Sequence, residues 1–203
     1  MRYLALGDSY TIGQSVPEAE RWPVQLATQL NAAGIVTESP QIIARTGWTT
    51  DDLLYALANE KPQGPFDLVS LLIGVNNQFQ KRSSDEYRAQ FRTLLQKSIA
   101  LAGGKASHVL IVSIPDWGVT PFAQKRDRQT IAAEIDLFNS INQAEASAVG
   151  VPYVDITPIS RQATIDVSLV ADDGLHPSGK MYKQWVELML PLVKAALGGE
   201  AKP

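Results

Sequence analysis

The sequence predicts an α/β domain built on a parallel β-sheet covered by helices, and three observations point there. Apolar runs of strand length alternate with longer segments of helical period along the chain. One of those runs, Leu68-Val69-Ser70-Leu71-Leu72-Ile73, is nearly continuous, as a strand buried on both faces requires. The polar, glycine-bearing stretches fall just after the strand-like runs, where open parallel sheets bind ligands. With 203 residues, 45% of them hydrophobic and 19% charged, the chain can bury a substantial core as one domain. That domain is expected over residues 1–197, with a flexible C-terminal tail at 198–203.

Taken in order, residues 2–6 read as the first strand, followed by a helix over 23–33 with Val24, Leu26, Ala27 and Leu30 as its apolar stripe and Gly34 as its stop. Residues 41–44 form the second strand. Thr50 reads as the N-cap of a helix over 51–59, with Asp51 and Asp52 in the first turn and Leu53, Leu54 and Leu57 facing inward. Pro62, Gly64 and Pro65 end it. The central strand spans 67–73, and a long helix spans 84–101, begun by Asp85 and Glu86 and closed by Gly103-Gly104. Residues 108–114 form the fourth strand. The loop 115–122 carries Trp117, Pro121 and Phe122 and either walls a binding site or packs on the domain. A helix over 126–149 rests on Ile131, Ile135, Leu137, Phe138, Ile141 and Ala148, and the fifth strand is 151–156. Residues 157–175 are irregular apart from a helical turn near 161–165. Pro177 opens a last helix running to 197 on Tyr182, Trp185, Val186, Leu188, Met189, Leu192 and Val193.

Composition narrows the chemistry. Eighteen Lys and Arg against 21 Asp and Glu give a net charge of −3, spread without blocks, which points away from nucleic acid and anionic membranes. The absence of cysteine removes disulfides, thiolate metal sites and a cysteine nucleophile. No run reaches the roughly 18 apolar residues of a membrane span, and the chain begins on a strand-like segment, so a cytoplasmic or already processed protein is expected. Composition says nothing about oligomeric state. With only His108 and His176 present, no metal site and no cofactor are expected, and an imidazole base has two candidates.

Four stretches after strands carry chemistry: Gly7-Asp8-Ser9-Tyr10, Arg45-Thr46-Gly47-Trp48-Thr49-Thr50, Gly74-Val75-Asn76-Asn77, and Asp173-Gly174-Leu175-His176-Pro177 ahead of the last helix. A serine hydroxyl needs a base before it attacks, and His176 is the natural one. Asp173, three residues earlier in a turn, can hold the imidazole in the useful tautomer. Attack on a carbonyl creates an oxyanion, for which Gly47 and Ser9 offer backbone N–H groups and Asn76 a side-chain amide. Taken singly, each residue has a plainer reading: Gly7, Gly47 and Gly74 as turn glycines, Asn76 as an Asx-turn residue, and Asp173 as a capping carboxylate. Asp8 reads as a turn or capping residue, His108 as structural and Asp172 as a solvated loop carboxylate. Trp48 and Trp117 suit a pocket wall or the core equally.

Jointly, the four blocks resemble an SGNH hydrolase, the group also called the GDSL esterase/lipase family, over residues 4 to 180. The resemblance implies a three-layer αβα, flavodoxin-like fold with a five-stranded parallel sheet in the order 2-1-3-4-5. It implies Ser9, Asp173 and His176 as a triad and Ser9, Gly47 and Asn76 as the oxyanion hole. The third block departs from the family's usual Gly-x-Asn-Asp by placing Asn77 where an aspartate is common, which bears on the hydrogen bonding of that loop. The expectation is a cofactor-free serine hydrolase of small carboxylic esters, short to medium acyl or aryl, with Trp48, Phe79, Trp117 and Phe122 lining the substrate pocket. The alternatives are a hydrolase of thioesters, lysophospholipids or acetylated sugars, and a non-enzymatic flavodoxin-like binding domain. Against the latter, no phosphate-cradling glycine motif follows the first strand.

Overall fold

The structure, a computed structural model, describes residues 1–198. Its strands are β1 (Tyr3–Gly7), β2 (Gln41–Ala44), β3 (Leu68–Leu72), β4 (Val109–Val112) and β5 (Tyr153–Val154), all parallel in the order β2-β1-β3-β4-β5. The helices are α1 (Ser9–Ile12), α2 (Trp22–Ala32), α3 (Thr50–Glu60), α4 (Val75–Phe79), α5 (Ser84–Leu101), α6 (Arg128–Ala148), α7 (Thr157–Arg161) and α8 (Gly179–Gly198). The three-layer α/β architecture and strand order match the expectation.

Connection direction decides the layers. The β1-to-β2 connection runs one way along the sheet and the next three run the other way. Right-handed crossovers therefore put α2 on one face and α3, α5 and α6 on the other. The packing agrees: α2 lies against α8, while α5 packs on both α3 and α6. Between β1 and β3 the connections diverge, and the crevice beyond those strand ends is where such sheets hold ligands. The register places Gly7 level with Ala44 on one side and Leu72 on the other, so the loops after these three strands start side by side.

β1 and β3 are buried along their whole length, as the continuous apolar run requires. Leu4, Leu6, Leu71 and Ile111 are fully enclosed, each contributing on the order of 1.5–3 kcal/mol. Ser70, the polar residue inside β3, is compensated by a 2.8 Å hydrogen bond with the Tyr3 hydroxyl.

Several boundaries differ from the sequence reading. The fourth strand begins at Val109, because His108 ends a 3-10 turn (Ala106–His108). The fifth has only two paired residues. Residues 157–175 contain α7 and two 3-10 turns, Gln162–Thr164 and Val167–Leu169. Pro177 lies outside the last helix and bridges antiparallel to Val170, so α8 starts at Gly179. Leu137 is 50% exposed, because the inward line of α6 passes through Ile131, Ile135, Phe138 and Ile141 instead. Ala148 also faces out, and Leu188 and Leu192 are exposed on α8. Gly198 belongs to α8, and the rest of the expected tail lies outside the described residues. No helix among the described residues is long and apolar enough to cross a membrane.

Candidate active site

The chain leaves β1 at Gly7 and turns at once into α1. A Cβ on Gly7 would stand 2.1 Å from Thr11 Oγ1 and 2.4 Å from the Leu72 carbonyl, so only glycine lets the α1 turn fold back on the strand ends. Lack of space, more than turn geometry, fixes this residue. Asp8 caps α1, accepting the Tyr10 N–H at 3.0 Å, as the capping reading expected. Ser9 is thereby the first residue of the helix, where N–H groups have no intrahelical partner. Burial pushes the Asp8 carboxyl up to about 7, against the pull of the Tyr10 N–H.

His176 comes to Ser9 from the other end of the chain. Its Nε2 is 3.0 Å from Ser9 Oγ and its Nδ1 is 2.6 Å from Asp173 Oδ2. The ring is buried and tilts against Tyr10, with centroids 5.6 Å apart. Asp173 Oδ1 accepts the backbone N–H groups of Leu175 and His176, both at 2.9 Å, which shapes the Asp-x-x-His segment into a tight turn. Burial pushes the Asp173 carboxyl up, yet hydrogen bonds from the Ser15 hydroxyl, the His176 backbone and imidazole and the Leu175 N–H hold it well below the usual carboxylate range. It stays charged and faces the imidazole.

Two further blocks close the site. Gly47, with φ of 84°, occupies the left-handed region in the turn after β2 that the Trp48 N–H closes on the Arg45 carbonyl at 3.2 Å. Asn76, on α4, donates one amide hydrogen to the Trp48 carbonyl at 2.8 Å. That bond fixes the amide and leaves its second hydrogen for another acceptor. Asn77 is buried and clamps the start of α3: its Oδ1 accepts the Thr50 N–H at 3.0 Å and its Nδ2 donates to Thr50 Oγ1 at 2.7 Å.

Ser9, His176, Gly47 and Asn76 all line one cavity of about 240 Å³. Phe79, Trp117 and Phe122 form its aromatic wall, with Trp117 edge-on to both phenyl rings at 5.3 and 6.0 Å. Trp117 Nε1–H donates to Gln78 Oε1 at 2.8 Å, and Gln78 donates to Glu134 on α6, so the indole is anchored from behind. Trp48 is not among the lining residues. Its ring packs on the core, and it serves the site through its backbone carbonyl. Sequence reasoning missed Gln14 and Thr46, which form a polar rim of the same cavity and are hydrogen-bonded to each other. No periodicity marks them, since one sits in the turn after a four-residue helix. His108 and Asp172 stand outside the cavity, the first buried before β4 and the second exposed.

The GDSL-like lipase/acylhydrolase family model matches residues 5–184. The chain belongs to that family. Solved structures agree on the fold. A lipolytic protein of the G-D-S-L family from Veillonella parvula superimposes with a TM-score of 0.72 at 19% identity, covering 94% of this chain and 97% of that one. TesA gives 0.71 at 20% identity, covering 97% and 100%. An acetyl xylan esterase variant from Geobacillus stearothermophilus gives 0.72 at 18%, covering 95% and 94%. No curated protein matches the sequence. Family membership makes this chain a carboxylic ester hydrolase with a small-molecule substrate.

Proposed function

We propose that this GDSL-family hydrolase cleaves short to medium acyl or aryl esters through an acyl-enzyme on Ser9. The observation that carries the reading is the continuous hydrogen-bonded line Ser9–His176–Asp173, 3.0 and 2.6 Å, opening onto a cavity with an apolar wall. His176 takes the Ser9 proton as Oγ attacks the ester carbonyl. The tetrahedral oxyanion rests on the N–H groups of Ser9 and Gly47 and the free amide hydrogen of Asn76. Asp173 holds the tautomer with Nδ1 protonated and stabilises the imidazolium. His176 returns the proton to the departing alcohol, and a water activated by the same imidazole then releases the acid and restores Ser9. No step calls for a cofactor.

The test is covalent labelling. A fluorophosphonate should add its mass to the peptide containing Ser9, and Ser9→Ala should lose esterase activity by at least about a thousandfold while remaining folded. An unlabelled Ser9 together with parent-level activity in Ser9→Ala ends the proposal.

A further inference from the structure

Ser15 is a feature that neither the four sequence blocks nor the mechanism above uses. The chain leaves α1 through Gly13 and reaches Ser15 with φ of 66°, a left-handed backbone conformation that residues other than glycine rarely adopt. There the Ser15 hydroxyl donates to Asp173 Oδ2 at 2.6 Å, across 158 residues of sequence. The same oxygen accepts the His176 Nδ1–H, while Oδ1 is taken by two backbone N–H groups of its own turn. Among the described hydrogen bonds of Asp173, Ser15 is therefore the donor that comes from outside the Asp173-x-x-His176 segment. It joins that segment to the turn that carries the nucleophile.

We propose that Ser15 is a positioning residue for the orienting carboxylate: its hydroxyl fixes Asp173 over the imidazole and tempers the negative charge that Asp173 presents to Nδ1. The inference rests on the acyl-enzyme reading above. Two physical effects follow. A carboxylate held at both oxygens keeps one rotamer, which keeps Nε2 aimed at Ser9. A donor shared with His176 on Oδ2 draws off electron density, so its removal leaves a stronger acceptor and a better-stabilised imidazolium. Tyr10 on α1 and Tyr182 on α8 feel the charge of Asp173, and these tyrosines in turn feel Asp8 on the β1–α1 turn, Asp116 after β4 (at Tyr10) and Arg21 before α2 (at Tyr182). None of them changes identity in the variants proposed here.

The test compares Ser15→Ala and Ser15→Gly with the parent on p-nitrophenyl acetate from pH 5 to 9. Both lose the hydroxyl, whereas glycine also relieves the left-handed backbone, so a folding defect confined to alanine is separable. In both variants kcat should fall by roughly three- to thirtyfold with KM within about twofold, as for lost orientation. The acid limb of kcat/KM should rise by about half a pH unit, the worth of one hydrogen bond. A parent-like kcat in either variant overturns the proposal, and so does an acid limb that stays in place or moves down. Ser9→Ala in the same series separates this from the underlying reading. If it is as active as the parent, the acyl-enzyme reading fails. If it is inactive while the Ser15 profiles match the parent, only the role of Ser15 fails.

Discussion

Asp8 is a buried ionisable residue next to Ser9, and its carboxyl is poorly served. One oxygen accepts the Tyr10 N–H, while Oδ2 is buried with no hydrogen-bond partner among the described residues. Burial lifts the group from 3.8 to about 7, so the folded chain keeps a proton that the unfolded chain has released over that range. The sign follows from linkage. Below about pH 4 both states are protonated and Asp8 has no net effect on folding; between 4 and 7 the folded state binds more protons, so its stability falls as pH rises. Above pH 7 the full penalty applies, up to about 4 kcal/mol for a shift of this size. Asp8→Asn should therefore be stabilised relative to the parent, by an amount that grows from pH 5 to pH 8. Urea unfolding at fixed ionic strength measures this, and parallel pH curves for the two proteins would refute it. Below about pH 7 a neutral Asp8 also suits the proposed chemistry, since a negative charge on this turn would oppose an oxyanion held by the Ser9 N–H. The role of Asp8 was legible in the sequence as a cap, but its titration was not, because burial is a property of the neighbours that three-dimensional packing supplies.

At the scale of elements, the long helices were read closely because each shows the helical period for several turns. The 84–101 helix agrees to the residue, and α2 and α6 agree within two residues at each end. The helix at α3 was placed one residue late. Thr49 is the cap, in a capping box with Asp52, and Thr50 is the first helical residue. Thr-Thr-Asp-Asp offers two registers of the same signal, and Asn77 on α4, which bonds both the N–H and the hydroxyl of Thr50, favours Thr49 as the cap. α1 and α4, with four and five residues, are too short to show a period, yet they carry Ser9 and Asn76. Asn77 is what couples α4 to α3: its amide accepts the Thr50 N–H and donates to the Thr50 hydroxyl, and that hydroxyl in turn donates to Gln90 Oε1 on α5. An amide fits this chain of bonds because it offers both a donor and an acceptor. Asn77→Ala should cost about 1–3 kcal/mol in urea unfolding, since it strands the buried Thr50 N–H and removes the bond its hydroxyl accepts. It should also lower kcat, because Asn76 is the preceding residue on the same short helix. Asn77→Asp keeps the acceptor, and a negative charge at a helix N-terminus is favourable, so it should lose less than half as much as alanine. An equal loss in the two variants would show that the donor side of Asn77 dominates.

The whole molecule explains why residues so far apart in sequence meet: five strand ends face one way, and the topological switch between β1 and β3 opens a crevice at Ser9. This level was legible in the order of the four blocks. The shape of the cavity was not, since Trp48 and Trp117 are equivalent in sequence and only one lines it. Its volume, about 240 Å³, is small for a ligand site, which commonly spans roughly 300–1,000 Å³. A short acyl or aryl group fits within it, and a long chain must leave through the mouth, where Phe79 and Phe122 are 46% and 47% exposed. On p-nitrophenyl esters of rising acyl length, kcat/KM should rise over the short chains and then level off. Each methylene that reaches solvent gains none of the roughly 0.8 kcal/mol that burial would supply. Phe122→Ala widens the mouth without touching Ser9, His176 or Asp173, so it should reduce kcat/KM several-fold and make its rise over the short chains shallower. If its length profile keeps the parent's shape at a uniformly lower rate, the aromatic wall is not where the acyl group sits. The acyl group would then lie toward the Gln14–Thr46 rim.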